Sequence, residues 1–165
     1  MSRARIVVAA LSLSAAGLIG IVSHEGYTDT AVVPVPGDVP TVGFGSTRRA
    51  DGAPVQMGDR TTPVRALVRA ADAVSQTEQR LRACIGDVPL YQHEWDAVVS
   101  WAYNVGPGAA CASTLVRRLR ARDYAGACDE LRRWVHAGGR RVHGLAVRRE
   151  RERAQCLGQS DSREQ

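Results

Sequence analysis

The sequence predicts an α+β protein that is mostly helical, with a small β-hairpin lobe joined by a long helix to a helical lobe. Three observations carry this. Aromatic residues are scarce, with one Phe, three Trp and four Tyr among 165 residues. A core must therefore be built mostly from Val, Leu and Ala, which suit close-packed helices. Glycine and proline punctuate residues 26–47, where short β-branched runs lie between turns. From Thr62 onward, apolar residues recur at helical spacing. The length suits one domain with a real core, and an apolar content of 44% argues against global disorder.

Taken in order, Arg3 and Arg5 precede an uncharged run from Ile6 to Val22. A basic start followed by an apolar stretch reads as an export signal. The run ends two residues before His24-Glu25 and carries no clear small-x-small cleavage site. It is a little shorter than the ~20 residues that a membrane span needs, and Ser12, Ser14, Gly17 and Gly20 dilute it. Three fates are open: cleavage near Ala15-Ala16-Gly17, retention as an anchor, and insertion followed by release. The composition fits the last best. A helix leading into Glu25 is expected. Residues 1–22 are thus read as a signal segment, 23–158 as the folded domain and 159–165 as a polar tail.

Val32-Val33 and Thr41 to Phe44 are strand candidates, separated by Pro34, Pro36, Gly37-Asp38 and Pro40; residues 46–59 read as loop. Thr62-Pro63 opens a helix, threonine as cap and proline at the first position. Val64, Leu67, Val68, Ala71, Val74 and Leu81 fall at its spacing, and it ends near Cys84-Ile85, before Gly86. Such a helix is about 33 Å long. Tyr91 to Tyr103 is a second, with Trp95, Val98, Val99 and Ala102 on its apolar face. Ser113 to Arg122 is a third, capped by Ser113, with Leu115, Val116 and Leu119 inward. Tyr124 to Val135 is a fourth. Gly138-Gly139 forces a turn, and an arginine-rich helix runs from Leu145 to about Leu157.

The net charge of +5 is carried wholly by arginine, since the chain has no lysine. A basic balance suits nucleic acid, a membrane surface or an acidic wall polymer, without choosing among them. A nucleic-acid reading would rest on the arginines of 140–153. No aromatic interleaving supports base stacking there, and no nucleic-acid partner is expected. His24, His93, His136 and His143 lack metal-ligand spacing, so neither a metal nor a cofactor is expected. Cys84, Cys111, Cys128 and Cys156 form no C-x-x-C pair and allow three disulfide pairings in an exported protein.

Three side chains could carry chemistry together. Glu25 follows an apolar run, where partial burial would favour a general acid. Asp38 lies in a turn and Thr41 at a strand start. Taken singly, each has a commonplace reading as a solvated helix end, a turn residue or a strand residue. Glycosidic cleavage needs a carboxylic acid on one side of the bond and a group that activates or stabilises on the other, and Glu25, Asp38 and Thr41 could supply both.

A family resemblance rests on ordered motifs: Glu25-Gly26-Tyr27, Pro40 to Thr47, Ala102-Tyr103-Asn104-Val105-Gly106-Pro107-Gly108, Ser113-Thr114-Leu115, Asp123 to Cys128, Arg133-Trp134, Ala137-Gly138-Gly139 and Gly144-Leu145 with Arg148-Arg149 and Glu152. From about residue 23 to 158 the chain resembles the phage-type lysozymes, the endolysins of glycoside hydrolase family 24. Its apolar start resembles the signal-arrest-release subgroup. The resemblance implies a monomeric muramidase that cleaves the β-1,4 bond between N-acetylmuramic acid and N-acetylglucosamine in peptidoglycan and so lyses the host. It implies export to the host periplasm with initial tethering to the inner membrane.

In that reading Glu25 is the general acid and Thr41 helps position the attacking water. The family's middle aspartate would fall at Pro34 or Val35, a departure from the pattern. Asp38 is the nearest carboxylate and Asp29 the fallback. Arg148 resembles an arginine that can pair with the glutamate, with Arg149 as the alternative. The pairings implied for the cysteines are Cys84–Cys111 and Cys128–Cys156. A non-catalytic wall-binding protein with the same fold is the other open reading, motivated by Val35.

Overall fold

The computed structural model describes residues 4–34 and 36–159. Arg3, Val35 and all but the first residue of the expected tail lie outside the described residues. The chain divides into two units: residues 18–75, and residues 1–17 together with 76–165. The secondary structure is mostly helical with small two-stranded sheets.

The first unit contains the end of α1 (Ala15–Glu25), β2 (Thr28–Val32) and β3 (Thr41–Gly43); β1 (Ile6–Val7) belongs to the other unit. β2 and β3 are antiparallel, with Thr28 opposite Gly43 and Val32 opposite Thr41 and a register shift between the two pairs. Ala31, Val42 and Val55 form a buried cluster. The expected loop is not featureless: Arg48 bridges Pro54, and Thr30 bridges Arg60.

The first half of α2 (Pro63–Ile85) belongs to this unit. Its Thr62 cap is visible as an Arg65 N–H donated to Thr62 Oγ1 at 3.4 Å. Of the apolar series at helical spacing only Val74 and Leu81 are buried, while Val64, Leu67 and Val68 face solvent. The buried face begins instead with Ala66 and Ala70. Gly43 explains the choice. It has φ +70°, and a methyl placed on it would lie 2.7 Å from Ala66 Cβ. The backbone of β3 comes so close to α2 that only a glycine facing an alanine fits.

The second unit is built around α3 (Gln92–Val105), in which every residue from Glu94 to Ala102 is buried. A helix buried all round must satisfy its polar side chains internally. The amino-terminal segment does this for two of three. β1 (Ile6–Val7) pairs antiparallel with β4 (Pro89–Leu90), Ile6 opposite Leu90. Arg5 donates to both Glu94 oxygens, at 3.1 and 2.8 Å. Its guanidinium lies 4.3 Å from the Tyr91 ring centre and 3.7 Å from that of Tyr124. Ser14 gives its N–H and hydroxyl to Asp96, at 3.0 and 2.5 Å. Leu13 N–H donates to Glu78 at 2.7 Å, and Arg82 donates to the Leu11 carbonyl at 2.6 Å. The stretch expected as one continuous apolar run is therefore a short strand, a 3-10 turn over Val8–Ala10 and a helix starting only at Ala15.

The remaining helices are α4 (Pro107–Cys111), α5 (Thr114–Arg120), α6 (Tyr124–Glu130) and α7 (His143–Cys156). Ser113 caps α5 by accepting the Val116 N–H at 3.1 Å, and Leu115, Val116 and Leu119 are buried as expected. The fourth helix stops at Glu130 and continues as a 3-10 turn over Leu131–Arg133. Gly138-Gly139 turns β5 (His136–Ala137) into β6 (Arg140–Arg141). Disulfides join Cys84 to Cys111 and Cys128 to Cys156.

Candidate active site

Glu25 is the last residue of α1 and is half-buried. Gly26, at φ +69°, ends the helix in the left-handed conformation that glycine adopts readily. The chain then enters β2 through Tyr27, whose ring lies 5.4 Å from Phe44 on the far side of the hairpin. This contact and the Thr28–Gly43 pair bring the end of β3 back to the end of α1. Gly45, at φ +76°, lies at that junction. A methyl on it would sit 3.4 Å from Glu25 Oε2. The glutamate carboxyl thus lies within van der Waals reach of the Gly45 backbone position.

Thr41 opens β3 opposite Val32 and is half-buried. Its Oγ1 lies 3.5 Å from the Val32 carbonyl, too long for a strong hydrogen bond, so the hydroxyl is weakly held. Asp38 lies in the exposed turn between the strands and accepts the neighbouring Val39 N–H at 2.9 Å. That is the local bond a turn aspartate makes anywhere. Asp29, in β2, is 61% exposed and reaches Arg60 at 3.2 Å. A glutamate and a hydroxyl at two ends of one hairpin, with two accessible carboxylates beside it, can supply proton transfer and water positioning.

The model of the phage lysozyme family matches residues 22–152. The chain belongs to the phage lysozyme family. Over 152 residues it is 31% identical to the endolysin of Salmonella phage P22, covering 89% of this chain and 99% of that one. Over 61 residues it is 52% identical to the SAR-endolysin of Bacteriophage PS119, covering 37% of this chain and 36% of the relative. The aligned chain spans little more than a third of the length of that SAR-endolysin and of three others like it. Among solved structures, the endolysin from Escherichia coli O157:H7 phage FAHEc1 superimposes with a TM-score of 0.79 at 32% identity, over 90% of this chain and 94% of that one.

Within this phage lysozyme fold, Arg148 and Arg149 lie on α7 in the second unit, both buried. Arg148 Nε donates to Glu152 at 3.1 Å, and its Nη2 lies 3.4 Å from the Ser100 carbonyl. Arg149 lies 2.8 Å from the other Glu152 oxygen and donates to Asn104 Oδ1. Ser100 donates its hydroxyl to Glu152 at 2.8 Å. Burial pushes the Glu152 carboxyl above its usual range, against the pull of Arg149, Arg148 and Ser100. Sequence reasoning singled out the two arginines and left Glu152 without a role. The signal was present: arginines three and four residues before a glutamate share one helix face with it.

Proposed function

We propose that this chain is a muramidase endolysin that hydrolyses the β-1,4 bond between N-acetylmuramic acid and N-acetylglucosamine in peptidoglycan, lysing the host. The observation that carries the reading is Glu25 at the helix end, facing Gly45 beside a hairpin that presents Thr41. Glu25 gives its proton to the glycosidic oxygen as the bond breaks. A water attacks the anomeric carbon, positioned by Thr41. The water's proton passes to a carboxylate, a role assigned to Asp38 with Asp29 as the fallback. Arg148 belongs to this reading as the supporting arginine, its side chain buried beside Glu152.

The test is loss of turbidity of chloroform-treated Gram-negative cells. Glu25→Gln lowers the rate by about 10²–10⁴-fold, the span of general acid catalysis, and leaves binding to isolated wall sacculi unchanged. Lysis unaffected by this substitution overturns the assignment. A parent protein that binds sacculi and never lyses them is the non-catalytic wall binder instead.

We place the enzyme in the host periplasm, as a monomer, after transient association of residues 6–22 with the inner membrane. Residues 23–158 are the lysozyme-like catalytic domain. The names of the SAR-endolysin relatives support export through a signal-anchor segment. Among the described residues no helix is long and apolar enough to cross a membrane. While residues 6–22 lie in lipid, Leu13 and Ser14 cannot reach Glu78 and Asp96. Membrane-held and folded forms then exclude each other. Equal lytic activity of both forms in a zymogram after fractionation refutes this regulation.

A further inference from the structure

The apolar residues that α2 leaves outside are grouped. Val64, Leu67 and Val68 are 73%, 43% and 56% exposed, and their i, i+3, i+4 spacing puts them on one helix face. Met57, in the preceding loop, is also exposed, at 63%. Soluble monomers rarely leave contiguous aliphatic surface without a use for it. Beside the stripe, Arg65 and Arg69 lie one turn apart. Arg69 lines an open cavity of about 270 Å³ together with Arg49, Arg60, Asp51 and Asp59.

The charges in and around this cavity are unequally used. Arg49 pairs with Asp59 at 2.7 Å, and Arg60 reaches Asp29 at 3.2 Å. Asp51 accepts the Ala53 N–H at 2.9 Å. Among the described residues neither Arg65 nor Arg69 makes an ion pair within 4 Å, although Arg69 shares the cavity with Asp59 and its charge helps to lower that carboxyl's pKa, behind the Gln56 N–H and Arg49. Guanidinium groups match phosphate oxygens in a two-point geometry. The stripe itself holds only aliphatic side chains. Aliphatic residues on one helix face with arginines at their edge are the pattern of a helix that lies in a bilayer interface.

We propose that the exposed face of α2 at Val64, Leu67 and Val68, with the arginine-lined cavity, docks the folded protein on an anionic phospholipid bilayer. Lipid phosphates occupy the edge formed by Arg65 and Arg69, and the aliphatic stripe enters the headgroup boundary. This docking does not depend on the glycosidase reading.

The test is co-sedimentation of the full chain, disulfides intact, with vesicles of phosphatidylcholine alone or mixed equally with phosphatidylglycerol. Two variants are compared with the parent: Leu67→Gln with Val68→Gln, both at exposed positions, and exposed Arg65→Gln with half-buried Arg69→Gln. All carry residues 1–22, so differences between them report on α2. The parent is expected to partition to the anionic vesicles about tenfold or more above the neutral ones. The arginine variant is expected to lose about fivefold per charge, and the aliphatic variant on the order of tenfold. Both retain the parent's activity on soluble wall fragments. Binding by both variants that equals the parent's overturns the proposal. So does a parent dimer that the aliphatic substitutions dissociate without changing vesicle binding, which makes the stripe a contact between copies. Loss confined to the arginine variant and reproduced by free inorganic phosphate also overturns it, leaving an anion site alone.

Discussion

Replacing Arg5 by methionine is expected to destabilise the protein by about 3 kcal/mol, and the structure shows how that figure arises. Arg5 makes two charge-assisted hydrogen bonds to Glu94, whose side chain is 5% exposed. Such bonds contribute roughly 1.5–3 kcal/mol. The guanidinium also lies over two tyrosine rings, each worth about 0.5–1 kcal/mol at a partly exposed site. Arg5 itself is 31% exposed, so solvent screens part of the sum. The same contact with Glu94 raises the arginine's pKa.

The assay is urea unfolding of the parent, Arg5→Met, Glu94→Gln and the double variant, all oxidised. The coupling between the two sites is expected near 2 kcal/mol, because either change alone leaves a partner stranded. A loss of about 3 kcal/mol corresponds to a fall of roughly 6–12 °C in Tm at this size. A coupling below about 0.5 kcal/mol refutes the view that Arg5 holds the amino-terminal segment onto α3.

Other expectations follow from the same structure. Opening either disulfide by paired Cys→Ser changes is expected to cost about 3.5 kcal/mol, from the chain entropy of loops with sequence separations of 27 and 28; unchanged unfolding midpoints would contradict this. Gly43→Ala forces a methyl to 2.7 Å from Ala66 Cβ at φ +70°, and a loss of about 2–4 kcal/mol is expected by denaturant titration.

On acidification, Asp123 is held below the usual range first by its hydrogen bond from Arg118, and Glu150 by that from Arg132. Their contribution is complete above the unfolded pKa and is lost as pH falls through the folded values. Glu152, raised by burial, runs the other way, and its protonation at falling pH favours the folded form. Urea midpoints are expected to fall from about pH 7 to about pH 3, with a shallower slope in Asp123→Asn.

Much of the helical architecture was legible because its signals are local. Thr62-Pro63, the Ser113 cap and Gly138-Gly139 each act within one turn of chain, and each falls where the structure uses it. What stayed hidden depends on distant partners. The Val and Ala faces of α2 share one period, and the approach of Gly43 to Ala66 favours the alanine face for burial. The run from Ile6 breaks into strand and turn because its polar groups meet Glu78, Glu94 and Asp96, far along the chain. At the candidate site, the end of α1 at Glu25 and the strand at Thr41 were readable from the apolar run and the punctuated hairpin. The closeness of Gly45 to Glu25 was not, since it depends on how the hairpin folds back.

The two disulfides close the intervals 84–111 and 128–156. Neither ring encloses residues 4–17, and no cross-link attaches to them. The cross-links therefore leave the amino-terminal arm held by non-covalent contacts alone. Oxidation of all four cysteines can be complete before that arm arrives, and the arm can lift away and return without breaking a bond.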